Sequence, residues 1–307
     1  MSENGTGDTQ FPTLQHWVGK TETQFDTITP FPLTALAATI DSDPPANHPG
    51  DHIQELRHWL FFLPTARHSE LGSDGHPKRG GFLPPVPLPR RMWAGSQFIF
   101  HQHLRVGDQV ARISKIDKVT HKTGRHGDLV FVRVNHTIHL LNQATAKPDT
   151  TNIAITEFHD IVYRTVAKGE NATSPKKKIP IAPENSAWCN EWTVDDVMLF
   201  RYSALTFNGH RIHYDRQYAC SEEGYPGLVV HGPLVATLLL DAMREKLSDR
   251  ALWKYEFKAI SPLFDIDTFF VCGEPSRDND TVALWAKNKH NQITMTATAT
   301  LYPQQPQ

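Results

Sequence analysis

The chain has 307 residues, enough for one large domain or two ordinary ones with a full core. Lys plus Arg is 31 against 33 for Asp plus Glu, a formal charge of -2, which gives no electrostatic reason to expect nucleic acid or an anionic membrane as a partner. The cysteines, Cys189, Cys220 and Cys272, are odd in number and form no Cys-x-x-Cys pair, so a disulfide framework is not expected and the cytoplasm is the natural compartment. No apolar run is long enough to cross a bilayer, and the polar start MSENGTGDTQ has the character of neither a secretory signal nor an Arg-rich transit peptide.

Residues 1–10 read as a tail, and 11–40 as short helical pieces around Pro30 and Pro32, the best of them Leu33 to Ala38. The Pro- and Asp-rich stretch 41–50 is a loop. His58 to Leu63 is a short apolar run suited to a buried strand. Gly72 to Pro89 is rich in Gly and Pro and must be irregular; long irregular loops in compact domains often carry function. From Ser96 to Leu141 the pattern is β, with turns at Gly107-Asp108 and Gly124 to Asp128. Residues 146–190 are polar, hold Lys176-Lys177-Lys178 ahead of Pro180 and Pro183, and read as a linker.

Beyond the linker, Thr193 to Asp196 resembles an N-cap with an acidic first turn. A second helix is expected near His210, and a third from Pro233 to about Leu247 with Leu234, Leu238, Leu239 and Ala242 on its apolar face. Strands follow at Trp253–Ile260, Asp267–Gly273, Val282–Lys289 and Ile293–Tyr302. The two β regions match in order, and Arg105 to Asp108 takes the same place as Phe264 to Asp267. This is the grammar of an internal duplication. The expected fold is therefore α+β, a double hot-dog in which each antiparallel sheet wraps one central helix. Residues 11–145 form one half and 191–303 the other. The central helix is well marked only in the second half, so chemistry is expected there and the first half is expected to be degenerate.

Two segments carry the chemistry. Phe207-Asn208-Gly209-His210-Arg211-Ile212-His213-Tyr214-Asp215 gathers imidazoles and a carboxamide, and Gly227 to Pro233 ends in His231-Gly232 just ahead of the strong helix. An unpaired backbone N–H at a helix N-terminus stabilises a developing oxyanion. Gly232 is placed for that, or is only a tight turn. His213 suits proton transfer in both directions, or is a packed histidine satisfied by a carbonyl. Asn208 cannot accept a proton at neutral pH but can orient a water. His210 shares a face with His213 and could help position the water or orient His213. The pair could also be metal ligands, but no third ligand stands at a recognisable spacing and none is assigned. Asp215 reads as a cap or surface partner, and His231 as a pocket or packing residue. Arg211, Arg90 and Arg91 are candidate partners for a carboxylate or phosphate group of a substrate, or are surface arginines.

The stretch Thr206 to Asp215, together with His58-Trp59-Leu60-Phe61-Phe62-Leu63-Pro64, Gly80 to Pro85 and Pro89 to Gly95, resembles the MaoC-like, hydratase-2 family. It is most similar to the subgroup of mesaconyl-C4-CoA and itaconyl-CoA hydratases and type 2 hydroxyacyl-thioester dehydratases. The resemblance covers roughly residues 15–300. It implies reversible hydration of an enoyl-CoA, with His213 as acid–base residue and Gly232 as oxyanion donor. Where the wider family has Asp, this chain has Asn208, which points to a His-centred mechanism. A C4-dicarboxylic acyl group is the expected substrate, giving citramalyl-CoA. The alternatives are a 3-hydroxyacyl-thioester dehydratase of fatty-acid synthesis and a non-catalytic thioester-binding protein. CoA enters only as part of the substrate, no cofactor is expected, and a homo-oligomer is left open.

Overall fold

A computed structural model describes residues 11–43, 48–124, 127–142, 145–165, 179–278 and 280–303. The basic run 176–178 lies outside them. Ten strands form one antiparallel sheet. In chain order they are β1 (Thr21–Thr27), β2 (Arg90–Phe100), β3 (Gln109–Gly124), β4 (Gly127–Leu141), β5 (Pro148–Arg164), β6 (Trp188–Trp192), β7 (Leu252–Ala259), β8 (Phe269–Pro275), β9 (Thr281–Asn288) and β10 (Ile293–Leu301). Their spatial order is β1-β3-β4-β5-β2-β7-β10-β9-β8-β6. Read outward from the centre, each half repeats the same path, and β2 pairs with β7 from Gly95↔Lys258 to Ile99↔Lys254 to join them.

The helices are α1 (Pro30–Thr39), α2 (Asp196–Leu205), α3 (Arg216–Ser221) and α4 (Gly232–Lys246). Helix α4 starts with Pro in its first turn and ends with Arg244 and Lys246, as its dipole favours. It buries Leu234, Val235, Leu238, Leu239 and Ala242 in the main core, against β8, β9 and β10. Isolated bridges align the halves: His52 pairs with Arg105 as Val229 pairs with Phe264. The Ile53 N–H bonds Leu104 O as the Val230 N–H bonds Leu263 O, both at 2.9 Å. Gln54 and Glu55 thus stand where the second half has His231 and Gly232. No long helix starts there, only a 3-10 turn at Arg57–Leu60. The Glu55 carboxylate is instead ion-paired to Arg244.

Four expectations give way. Residues 58–63 are not a strand. His58, Leu60, Phe61 and Phe62 are buried, but Leu56 and Phe62 adopt φ of 67° and 55°, and the Phe62 N–H bonds the Asp26 carboxylate at 2.7 Å in place of a sheet neighbour. A short apolar run cannot separate these cases by periodicity. The stretch 146–190 is not linker throughout, because β5 occupies Pro148–Arg164 between β4 and β2. Its core face includes Glu157 beside Ile155, Ile161 and Tyr163. That buried carboxylate bonds the indole of Trp59, at 3.3 Å, and the Ser96 hydroxyl, and such polar residues hid the strand. The residues before Pro30 hold β1 as well as a helical piece. Finally, Cys189 and Cys272 face each other across β6 and β8 and are joined in a disulfide, leaving Cys220 free.

Candidate active site

The local chain path places His213. Helix α2 is capped by the Asp195 carboxylate, which accepts the Met198 N–H. At its other end Asn208 N–H reaches Ser203 O at 2.8 Å and Phe207 N–H reaches Ala204 O at 3.2 Å. That pair of bonds is a Schellman closure, and it needs a left-handed residue at Phe207, whose φ is 49°. A non-glycine residue there stores strain of about 1–2 kcal/mol immediately before the motif. Asn208 Oδ1 then accepts the N–H of His210 at 3.1 Å. A 3-10 turn at Arg211–His213 follows in place of the expected helix. Asp215 caps α3 by accepting the Tyr218 N–H at 3.0 Å.

This path buries His213 with Nδ1 2.7 Å from Val229 O. A carbonyl only accepts, so Nδ1 carries the proton and Nε2 keeps its lone pair. Val229 is itself fixed by its N–H to Ile212 O at 3.0 Å. The His231 ring stacks on His213 at 3.8 Å between centroids and 18° between planes. His231 Nε2 bonds Ser203 Oγ at 2.8 Å, while its Nδ1 is buried with no partner among the described residues. Gly232 follows as the first residue of α4, where an N–H has no carbonyl one turn back to bond. A Cβ on Gly232 would meet nothing closer than Met295 Cε at 3.9 Å, and its φ is ordinary. Neither a turn nor packing demands glycine here. What glycine leaves is open approach to the amide.

Burial drives the electrostatics. It pushes His213 down to about 4 from 6.5, opposed by the Val229 bond. Burial, then His76 and His213, take His210 to about 2, and burial also lowers His231. Neutral imidazoles at neutral pH are bases ready to accept. A group lowered in this way keeps its base form above its folded pKa and loses it as pH falls through that value. The acid limb of kcat/KM is therefore expected near pH 4, not 6.5. A pH–rate profile with circular dichroism at each pH checks this, and a limb near 6.5 in folded protein contradicts it.

The first half reaches into the site. Gly75 lies directly on Gly209: a Cβ on Gly75 would sit 1.8 Å from Gly209 O, and one on Gly209 2.8 Å from Gly75 O. Arg211 N–H donates to Asp74 O at 3.0 Å. Asp74 Oδ2 accepts from His76 Nδ1 at 3.1 Å, and the His76 ring packs on His210 at 4.0 Å. His210 in turn meets His213 edge-on at 5.5 Å. Asp74, His76 and His210 thus form one cluster, with a ligand atom of each lying within 4.8 Å of the others. Asp74 and His76 are the further ligand types that the sequence did not show for His210, and His213 is not part of the cluster.

The three arginines separate. Arg211 binds Asp215 Oδ2 through Nη2 at 2.7 Å and Ser73 O through Nη1 at 3.1 Å, and lies over the Tyr218 ring. Arg90 is 3.6 Å from Glu223 Oε2, donates to Glu223 O and lies over Tyr225. Arg91 has no carboxylate within ion-pair distance among the described residues. Its charge bears on His76, His159 and His210.

Residues 54–265 match the hydroxyacyl-thioester dehydratase type 2 family. The chain belongs to that family. Over 287 residues it is 42% identical to the mesaconyl-C(4)-CoA hydratase of Chloroflexus aurantiacus, covering 93% of this chain and 96% of that one. Its fold is that of the MaoC-like dehydratase from Phytophthora capsici, with a TM-score of 0.63 at 11% identity over 96% of this chain and 98% of that one. A Mycobacterium tuberculosis protein described as having a double hot-dog fold aligns with a TM-score of 0.53 at 12% identity, over 93% and 96% of the two chains. The double hot-dog read from the duplicated β pattern is this family's fold.

In this dehydratase-family chain, sequence reasoning placed His210, His213, His231 and Gly232 together but missed Asp74 and His76. The signal was present in weak form: Asp74-Gly75-His76 is a compact Asp-Gly-His run inside the irregular stretch 72–89. Nothing in the sequence ties that run to residues 208–211.

Proposed function

We propose that the protein catalyses reversible hydration of an enoyl-CoA thioester carrying a branched C4-dicarboxylic acyl group, mesaconyl-C4-CoA or itaconyl-CoA, to give citramalyl-CoA. The observation that carries the reading is His213, fixed through Nδ1 on Val229 O and stacked on His231, the residue just ahead of the first amide of α4 at Gly232. In the hydration of mesaconyl-C4-CoA a water oxygen bonds to Cβ and its proton passes to His213 Nε2; itaconyl-CoA, whose double bond joins Cβ and Cγ, enters the same path once a proton has moved from Cα to Cγ. The Cα=Cβ pair moves toward the thioester, and the enolate oxygen that forms is held by the Gly232 N–H and the α4 dipole. The imidazolium then returns its proton to Cα on the same face, leaving His213 as it began. His210 and His231 meet the His213 ring, and Asn208 bonds the His210 N–H, which supports a role for all three around the substrate. The hydro-lyase class agrees with the family, and the dicarboxylic preference with the 42% identical hydratase. Of the three candidate arginines, Arg91 is the one with no carboxylate partner among the described residues, its neighbour being the neutral phenol of Tyr163, and we assign it to the free carboxylate.

The test is loss of enoyl-thioester absorbance with mesaconyl-C4-CoA, itaconyl-CoA and crotonyl-CoA in parallel. A dicarboxylic substrate is expected to exceed crotonyl-CoA in kcat/KM by about 10-fold or more, the scale of a charge-assisted contact. Faster turnover of crotonyl and longer unbranched thioesters gives the reaction instead to fatty-acid synthesis. CoA-ester binding without turnover of any substrate makes the protein a non-catalytic binder.

A further inference from the structure

We propose that the Ser73–His76 loop of the first half is a working part of the second half's site, with Asp74 and His76 as positioning residues that hold His210 as the second imidazole beside the reacting water. The inference rests on the hydration reading and deepens it. Moving a water proton in a buried cluster of imidazoles calls for a fixed arrangement of lone pairs and N–H groups. The 206–215 segment cannot supply that by itself. Its one carboxylate, Asp215, is spent on capping α3 and on Arg211. Asn208 has turned its oxygen to the His210 N–H.

The missing carboxylate comes from elsewhere in the chain. Asp74 Oδ1 accepts the His76 N–H at 3.0 Å and Oδ2 accepts from His76 Nδ1 at 3.1 Å. The carboxylate therefore sets both the backbone and the tautomer of His76. With its proton on Nδ1, His76 presents a bare Nε2. Its ring packs on His210 at 4.0 Å, and His210 stands edge-on to His213. Asp74 is held well below the usual carboxylate range by its hydrogen bonds and charge interactions with His76, against its own desolvation. The titratable and charged groups facing His76 are Asp74, Arg91 and Arg79, and those facing His210 are the imidazoles of His76 and His213 with Asp74 and Arg91.

The docking that brings this pair in is built into the backbone. Gly75 has φ +87 and contacts Gly209 so closely that neither residue can carry a side chain without displacement. Arg211 clamps the loop twice, by its N–H to Asp74 O and by Nη1 to Ser73 O, across 138 positions of sequence in the second case. A surface loop that only covered the site would need neither the glycine pair nor a carboxylate–imidazole pair aimed at His210.

The experiment compares wild type with Asp74→Asn, Asp74→Glu and His76→Ala in the mesaconyl-C4-CoA assay, with thermal unfolding of each and 15N imidazole NMR for the His76 tautomer. Asparagine keeps the shape but offers an N–H to His76 Nδ1, which moves the proton to Nε2. The expected results are a fall in kcat of about 10- to 1000-fold for Asp74→Asn with KM within about 3-fold, comparable to other misplaced tautomers and outer-shell partners. The Nδ1–H tautomer of His76 is expected in wild type and lost in that variant. Partial recovery is expected in Asp74→Glu, and rescue of His76→Ala by free imidazole. An unchanged kcat in Asp74→Asn, a loss seen only in KM or in the melting temperature, or wild-type activity abolished by EDTA (a metal held by Asp74, His76 and His210) overturns the inference. Wild type that hydrates none of the thioesters overturns the hydration reading instead, and the NMR tautomer still reports on the loop.

Discussion

His213→Gln is expected to lower kcat/KM for the preferred enoyl-CoA by about 10²–10⁴-fold, the usual contribution of a positioned acid–base group. Glutamine can still donate an N–H to Val229 O, where His213 Nδ1 now lies at 2.7 Å, so the segment keeps its anchor. It has no group that takes a proton at neutral pH. The water proton then has nowhere to go, while the Gly232 amide and the α4 N-terminus still polarise the thioester. The residual rate of the variant therefore measures the oxyanion donor alone. The acid limb assigned to His213 should vanish from the pH profile with it. A fall of less than tenfold, in protein whose melting temperature matches wild type, would falsify the assignment of His213 as the base.

Much of this was legible in the sequence, for reasons that differ between elements. Helix α4 announces itself because Pro233, a broad apolar face and a basic last turn all agree. The duplication shows in strand order because each half must close the same sheet. The motif 206–215 puts its imidazoles within a few residues of each other, so local geometry alone keeps them near one another. Strand β5 was not legible, because its inward positions carry Glu157, with His58, Trp59 and Ser96 as partners, and polar residues on a core face break the alternation that marks a strand. Asp74 and His76 were not legible as site residues. Their approach depends on two glycines from different halves meeting backbone to backbone, and no periodicity records that.

The arginines show the same limit from the other side. Composition offers three cations near the motif, and only tertiary pairing tells them apart. The expectation that Arg211 grips a substrate carboxylate does not fit its surroundings, since Asp215, Ser73 O and the Tyr218 ring already engage it. Its removal loosens the loop that carries Asp74, so Arg211→Ala is expected to slow dicarboxylic and unbranched thioesters alike. The same reasoning sets Arg90 aside, tied as it is to Glu223 and Tyr225.

Arg91→Met is expected to lower kcat/KM for mesaconyl-C4-CoA by about 30-fold or more and to leave crotonyl-CoA within about 3-fold of wild type. The magnitude follows from removing one partner of a desolvated, hydrogen-bonded charge pair, about 2–5 kcal/mol, at about 1.4 kcal/mol per tenfold. Methionine keeps much of the arginine's apolar stem, so a loss comes from the guanidinium and not from a cavity. Arg91 sits opposite Tyr163 in the β2–β5 register, and its charge bears on both His76 and His210. A substrate carboxylate paired with Arg91 would lie on the His76–His210 side of the site. Crotonyl-CoA has no such carboxylate and gains nothing from the cation. Removing a fixed positive charge also eases protonation of His210 and His76, so any change in crotonyl-CoA turnover should be small and confined to the acid side. Equal losses on both substrates would show that Arg91 holds the site's shape and does not select the acyl group.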